Sequence, residues 1–255
     1  MKNKFITAMT LEPNDKVAIV GCGGKTTLMY KMAHELKDRP VLVTTTTKIY
    51  PPSKNEVDYT FNRVKSAKLL QQETYENGRY LIYDGFDIHG KLLPPEHSVL
   101  EELGQRFDYT IMESDGSKGL PLKGYNQDEP CVPEFVTLTL GVATIWAVGE
   151  PVETRFVHRV KEFCEMTGAK EGMPITLEHI ARMIAHPSGP FKRQTQRRIL
   201  FINHLNVKEE YNRAMELIDR LPKEFLQTIQ CVIAGNLYSS SFEYLWENQS
   251  KRGEK

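Results

Sequence analysis

Short apolar runs alternate with amphipathic stretches along most of the sequence. Residues 17–20 form a continuous apolar run that ends in a glycine-rich turn, a pattern typical of a strand buried on both faces. The next stretch predicts a helix that begins at Thr26 or Thr27 and ends between residues 34 and 37. A second apolar run at 41–46 predicts another strand. These elements form a strand–helix–strand unit, which is the start of a parallel sheet.

The remaining elements follow from apolar runs and from apolar residues that recur every three to four positions. Strands are predicted at 109–112, within 135–148, at 198–203 and at 228–234, and helices at 64–76, 96–107, 156–166, 176–185 and 209–221. Turn signals at Asp84-Gly85 and His89-Gly90 predict a small hairpin made of residues 79–83 and 91–93. The polar tail from Glu247 is expected to fray.

This alternation of strands and helices predicts an α/β protein with a mostly parallel sheet and helices on both faces. No internal repeat or low-complexity linker interrupts the sequence. We therefore expect one α/β domain over residues 1–255, with a candidate subdomain within 51–95.

The charge balance excludes a protein that binds polyanions through its overall field. The 255 residues contain 33 Lys and Arg against 33 Asp and Glu, so general binding to nucleic acid or to an anionic membrane is not expected. The longest uncharged run, residues 135–149, is too short to span a bilayer. The four cysteines contain no Cys-x-x-Cys pair, which favours reduced thiols and a cytoplasmic location.

The strongest chemical signal lies between the first predicted strand and the first predicted helix. Glycines allow backbone N–H groups to approach an anion, Lys25 can reach terminal phosphates, and Thr26 can hold Mg²⁺. A glycine turn that only packs the strand against the helix would need neither the lysine nor the threonines. The loop is two residues shorter than the usual G-x-x-x-x-G-K-[ST] pattern and has the length of the ATP loop in Mur-type amide ligases. It reads Gly21-Cys22-Gly23-Gly24-Lys25-Thr26-Thr27.

Two further polar segments follow predicted strands at the same edge of the sheet, the edge where open α/β folds bind ligands. In 44–48, four threonines precede Lys48, which is predicted to stabilise charge on a phosphoryl group. After the strand at 109–112, Glu113 or Asp115 is predicted to bind Mg²⁺, and Asp115 or Lys118 to face an acceptor. The alternatives are ordinary strand threonines with a solvated lysine, and an Asp-Gly turn with surface acids.

The sequence Asn203-His204-Leu205-Asn206 bears on the choice of base. Guanine-selective NTPases commonly have Asn-Lys-x-Asp after a late strand, and here Asn206 replaces the aspartate. ATP is therefore expected rather than GTP, with Asn203 near the base. The alternative is a strand-to-helix turn in which Asn206 caps the next helix.

Taken with further short motifs, these segments resemble the YqeC-type selenium-dependent hydroxylase accessory proteins over most of the chain. The further motifs are Leu122-Lys123, Glu129-Pro130, Val157-His158-Arg159 and His186-Pro187-Ser188-Gly189. The resemblance implies a P-loop-like nucleotide site and an accessory role in the maturation of molybdenum hydroxylases that carry labile selenium. It also implies a hydroxylase or a molybdenum-cofactor intermediate as partner.

Three functions remain open from the sequence. The first is a Mg²⁺-dependent accessory protein that hydrolyses ATP or transfers its phosphoryl group. The second is a non-catalytic, nucleotide-gated switch or chaperone that docks on a hydroxylase or cofactor carrier. The third, a ligase that forms an acyl-phosphate, rests on loop length alone. For the first, the predicted catalytic residues are Lys25, Lys48, Asp115 and Lys118.

Overall fold

The computed structural model describes residues 4–193 and 195–251, which fold as two compact units. Among the described residues, unit 1 contains the chain up to Ile19, Thr26–Gly116 and Cys131–Leu138. Unit 2 contains Val20–Lys25, Ser117–Pro130 and the chain from Thr139 onwards.

The strands of unit 1 are all parallel to their neighbours. Their order is β1-β5-β2-β4-β3, and the last two residues of β1 belong to unit 2. The sequence supports this arrangement in β1, β2 and β4, whose interiors are largely apolar and buried. The five strands are β1 (Lys16–Gly21), β2 (Pro40–Thr45), β3 (Tyr59–Phe61), β4 (Gly78–Ile82) and β5 (Tyr109–Glu113).

The first helices connect these strands. The predicted helix is present as α2, which begins at Lys25, one residue before the earlier of the two predicted starts. The α3 helix is shorter than predicted and ends at Leu69, with Asn62 as N-cap accepting from the Lys65 amide. The four helices are α1 (Phe5–Ala8), α2 (Lys25–Glu35), α3 (Arg63–Leu69) and α4 (His97–Arg106).

Unit 2 contains a set of strands in the order β7-β9-β10-β11 and a separate parallel pair, β6-β8. The β9 and β10 strands are parallel, and β11 returns antiparallel to β10. The strands are β6 (Leu122–Lys123), β7 (Leu138–Thr144), β8 (Val157–His158), β9 (Arg197–Asn203), β10 (Cys231–Asn236) and β11 (Ser241–Glu247).

The helices of unit 2 pack around an apolar core that includes Phe163, Ile180 and Leu217. Thr176 caps α6 as predicted, because its hydroxyl accepts from the His179 amide. The helices are α5 (Val160–Thr167), α6 (Leu177–Ala185), α7 (Lys208–Asp219) and α8 (Lys223–Thr228), and a 3-10 turn follows at Gln249–Lys251.

The predicted class, α/β with a mostly parallel sheet, is confirmed, but the predicted hairpin is wrong in its first strand. Residues 78–82 form β4, which lies parallel to β2 and β3. A smaller hairpin follows it, in which the Asp84 amide donates to the Leu93 carbonyl and Phe86 bridges Leu92. The physical reason is burial: every residue of β4 is buried, which a surface hairpin could not provide.

Four strands were not predicted from the sequence. The β6 and β8 strands have only two residues each. The β3 strand has only three residues, and β11 is an edge strand whose residues are mostly exposed or half-buried. Part of the tail predicted to fray, residues 252–255, lies outside the described residues. Within the described ranges, no helix combines the length and the apolar character needed to cross a membrane.

Candidate functional site

The glycine-rich loop lies against the backbone of β7. The Cys22 amide donates to the Val142 carbonyl at 2.8 Å, and Gly21 has a φ of +92°. A Cβ atom on Gly21 would lie 2.1 Å from the Val142 oxygen. Only glycine permits this approach, so the loop geometry requires the residue that the sequence has there.

Side chains at the end of β9 support the loop from another side. The Asn203 amide donates to the Gly23 carbonyl at 2.7 Å, and its Oδ1 accepts from the Leu237 amide at 3.1 Å. The neighbouring His204 lies 3.1 Å from the Thr144 hydroxyl, and burial lowers its pKa, which favours the neutral ring. Asn203, predicted to lie near a base, is thus engaged in fixing the loop.

The loop carries several hydrogen-bond donors in unit 2. Among the described residues, the backbone N–H groups of Gly23 and Gly24 have no hydrogen-bond acceptor. The Lys25 ammonium is buried and donates to the Ser117 hydroxyl at 3.2 Å. Amides without acceptors, a buried cation and the start of a helix form the chemistry of an anion cradle.

In unit 1, the first turn of α2 approaches the end of β5. The Thr26 hydroxyl donates to Glu113 Oε2 at 2.5 Å, and Tyr30 lies one turn further along the same helix. The Tyr30 hydroxyl is buried and has no partner among the described residues. Its pKa is raised by burial and by the charges of Glu56 and Glu113, so it stays protonated as a potential donor.

The residues at the end of β5 fit a magnesium ion in their chemistry. The Thr26 hydroxyl and the Glu113 carboxylate are hard oxygen donors, which Mg²⁺ prefers. Asp115 is buried two residues on, and the buried Ser114 hydroxyl has no partner among the described residues. No group of three or more His, Cys, Asp or Glu gathers within the described residues. A magnesium ion here would need phosphate and water as its other ligands, which is its usual mode of binding.

The threonines of 44–48 are largely engaged with the backbone. The Thr44 hydroxyl donates to the Ile82 carbonyl, and the Thr46 hydroxyl to the Cys131 carbonyl at 2.7 Å. Thr45 contacts the Glu113 carbonyl in the same way. The ammonium of Lys48, predicted to stabilise a phosphoryl group, lies 3.4 Å from Asp87 and is more than half exposed. The segment therefore fixes the end of β5 through hydrogen bonds.

An ionic cluster in unit 2, defined by the buried Lys123 and the half-buried Glu129 and Arg159, was only weakly indicated by the sequence. Glu129 Oε2 accepts from the Lys123 ammonium at 2.6 Å and from Arg159 Nη1, while Oε1 accepts from Arg159 Nη2 at 3.1 Å. Burial alone would raise the pKa of Glu129, but these hydrogen bonds outweigh it and lower the pKa. In the sequence, these three residues stood out because they belong to the short motifs that carry the family resemblance.

A separate cavity of about 570 Å³ in unit 1 has an aromatic and acidic lining. The Tyr59 hydroxyl donates to Glu76 there at 3.0 Å. None of the side chains predicted to bind nucleotide or metal contributes to this lining, which consists of Tyr59, Phe61, Gln72, Glu73, Thr74, Tyr75, Glu76 and Tyr80.

The fold and the loop define an α/β protein with a glycine-rich strand-to-helix turn. The chain belongs to the YqeC protein family, whose model matches residues 17–161, which confirms the resemblance seen in the motifs. It is 29% identical over 220 residues to the "Uncharacterized protein YqeC" of Escherichia coli (strain K12), across 84% of this chain and 85% of the relative. No solved structure matches the chain.

Proposed function

We propose that the protein binds Mg²⁺-ATP at the glycine-rich loop and uses it for hydrolysis or phosphoryl transfer. The observation that carries this proposal is the set of loop donors: the N–H groups of Gly23 and Gly24, which have no acceptor among the described residues, and the buried ammonium of Lys25. Backbone amides without an acceptor, next to a buried ammonium at the start of a helix, are groups that favour a phosphate.

Each residue at the loop has a distinct role in the proposal. Lys25 neutralises charge on the terminal phosphates, and the amides of Gly23 and Gly24 bind their oxygens. Thr26, which follows Lys25 in the chain, and Glu113 would hold Mg²⁺, with Asp115 nearby in sequence. When bound, the ion neutralises charge on the phosphates.

The choice of ATP and the biological context rest on narrower grounds. The asparagine at position 206 lacks the carboxylate that guanine recognition commonly uses, and its amide oxygen accepts from Asn236 at 2.5 Å. We propose an accessory role in the maturation of selenium-dependent molybdenum hydroxylases on the resemblance of the short motifs, since the matching family model is described only as YqeC protein. A hydroxylase or a molybdenum-cofactor intermediate is the partner that we propose on this ground.

The magnesium role of Glu113 can be tested by its effect on binding. We expect Glu113→Gln to weaken ATP binding in the presence of Mg²⁺ by roughly 10- to 100-fold, the range found when groups around a metal are removed. Binding in EDTA should change little, because the loop donors are intact. The measurement is isothermal titration of ATP with and without Mg²⁺, followed by single-turnover hydrolysis.

Glu73→Gln serves as the matched control, since Glu73 is an exposed carboxylate of unit 1. It should leave both affinities unchanged. Equal losses with and without Mg²⁺ in Glu113→Gln would assign Glu113 a structural role and contradict the proposed metal site.

A further inference from the structure

Unit 2 contains an excess of positive charge around His158. Lys118, Lys123 and Arg159 all act on this imidazole, against the single carboxylate of Glu129. Glu129 is shared by two of the cations, and Lys118 has no ion-pair partner among the described residues. Lys118 is exposed and Arg159 is half-buried, and neighbouring cations of this kind attract an anion.

The backbone holds these cations in a fixed arrangement. Lys118 and Arg159 both have left-handed backbone conformations, with φ of 54° and 58°. Non-glycine residues adopt such conformations mainly where the surroundings impose them, and functional sites are enriched in them. Arg159 is held by two hydrogen bonds to Glu129, and Gly124 contacts the Arg159 backbone so closely that a Cβ atom would lie 2.6 Å from its carbonyl oxygen.

His158 lies beside the cations as a neutral ring. It pairs with Lys123 in the parallel β6-β8 ladder, so the two side chains leave the same face. Burial and then the three cations lower its pKa to about 4. At neutral pH the ring is therefore available to accept a proton or a hydrogen bond, and a nearby anion would raise its pKa.

The chain segment that contains Lys118 also contacts the glycine-rich loop. Ser117 accepts a hydrogen bond from the Lys25 ammonium at 3.2 Å, and Lys118 is the next residue. Ser117, Lys118 and the loop residue Lys25 all belong to unit 2.

We propose that Lys118 and Arg159, beside His158, bind a second ligand of this protein, a small molecule that carries a phosphate or carboxylate group. That this ligand is the acceptor of the ATP phosphoryl group rests on the proposed function; the anion site itself does not. Lys123 is a positioning residue, because its ammonium is fully buried and directed to Glu129.

The test is an NMR titration of the full chain with ¹³C-labelled histidine and inorganic phosphate as the probe. The His158 resonance, assigned with His158→Gln, is followed against pH at increasing phosphate. We expect phosphate to move the His158 midpoint upward from about pH 4. Lys118→Met should weaken the phosphate effect roughly five-fold or more, because it removes a charge-assisted contact.

Two further variants make the result decisive. Lys170→Met removes an exposed lysine elsewhere in unit 2 and should leave the phosphate effect unchanged. Lys25→Met removes the ammonium of the glycine-rich loop and reports whether phosphate acts on His158 from there. If the effect is lost in Lys25→Met but kept in Lys118→Met, the phosphate binds the loop and the proposed site is wrong.

The outcomes for the two proposals are distinguishable. If ATP binds and phosphate leaves the His158 midpoint unmoved, the anion site is overturned while nucleotide binding stands. If ATP does not bind but phosphate shifts His158 through Lys118, the anion site is supported and the nucleotide proposal fails.

Discussion

Lys25→Met is expected to abolish most of the nucleotide affinity of this protein. The substitution retains the buried stem of Lys25 but removes the ammonium group that the loop places beside Ser117. A charge-assisted contact to phosphate contributes about 1.5–3 kcal/mol, so ATP should bind roughly 10- to 150-fold more weakly. The measurement is isothermal titration of Mg²⁺-ATP into wild type and variant.

Lys37→Met is the control, because Lys37 is an exposed lysine just beyond the end of α2. It should bind ATP as the wild type does. Denaturation in urea would check that Lys25→Met remains folded. An unchanged dissociation constant for ATP in folded Lys25→Met would contradict the proposal that the glycine-rich loop binds the nucleotide.

Gly21→Ala is expected to lower the free energy of unfolding by about 2–6 kcal/mol. The estimate combines about 1–3 kcal/mol for a left-handed backbone at a residue with a Cβ atom and about 1–3 kcal/mol for overpacking. The overpacking is specific, because the new Cβ atom would lie 2.1 Å from the Val142 carbonyl oxygen. Chemical denaturation gives the measurement.

Gly149→Ala separates the two contributions. Gly149 has a φ of +95°, close to the +92° of Gly21, but nothing lies within 4 Å of its hypothetical Cβ atom. It should therefore lose only the backbone contribution. If both variants lose the same stability, the close approach of the loop to β7 is not what makes Gly21 necessary.

Local patterns were sufficient to predict the elements that carry the site. The β1 strand, the loop and α2 are defined by an apolar run, glycines and an amphipathic stretch that follow one another in the chain. The β4 strand was assigned to a hairpin because turn signals follow it directly. Its partners are instead the parallel strands β2 and β3, which lie earlier in the chain. The position of such a strand in the sheet is decided by its pairing with distant segments. The spacing of apolar residues along the chain does not show this pairing.

The residues of the site also fall into two groups, those that local patterns predict and those that depend on contacts between distant segments. Lys25, Thr26 and Glu113 were predicted from their positions after strands and at the start of a helix. The contact of Asn203 with Gly23 and the ion pair of Arg159 with Glu129 depend on tertiary contacts between distant parts of the chain. No spacing in the sequence reports these contacts, because the partners are separated by whole elements.

A crystal structure of the full chain with Mg²⁺ and a non-hydrolysable ATP analogue tests the central claim most directly. The account predicts a phosphate oxygen within hydrogen-bond distance, about 2.7–3.2 Å, of the Gly23 and Gly24 nitrogens and of the Lys25 ammonium. A nucleotide bound elsewhere, with these two amides still without a phosphate acceptor, would contradict it.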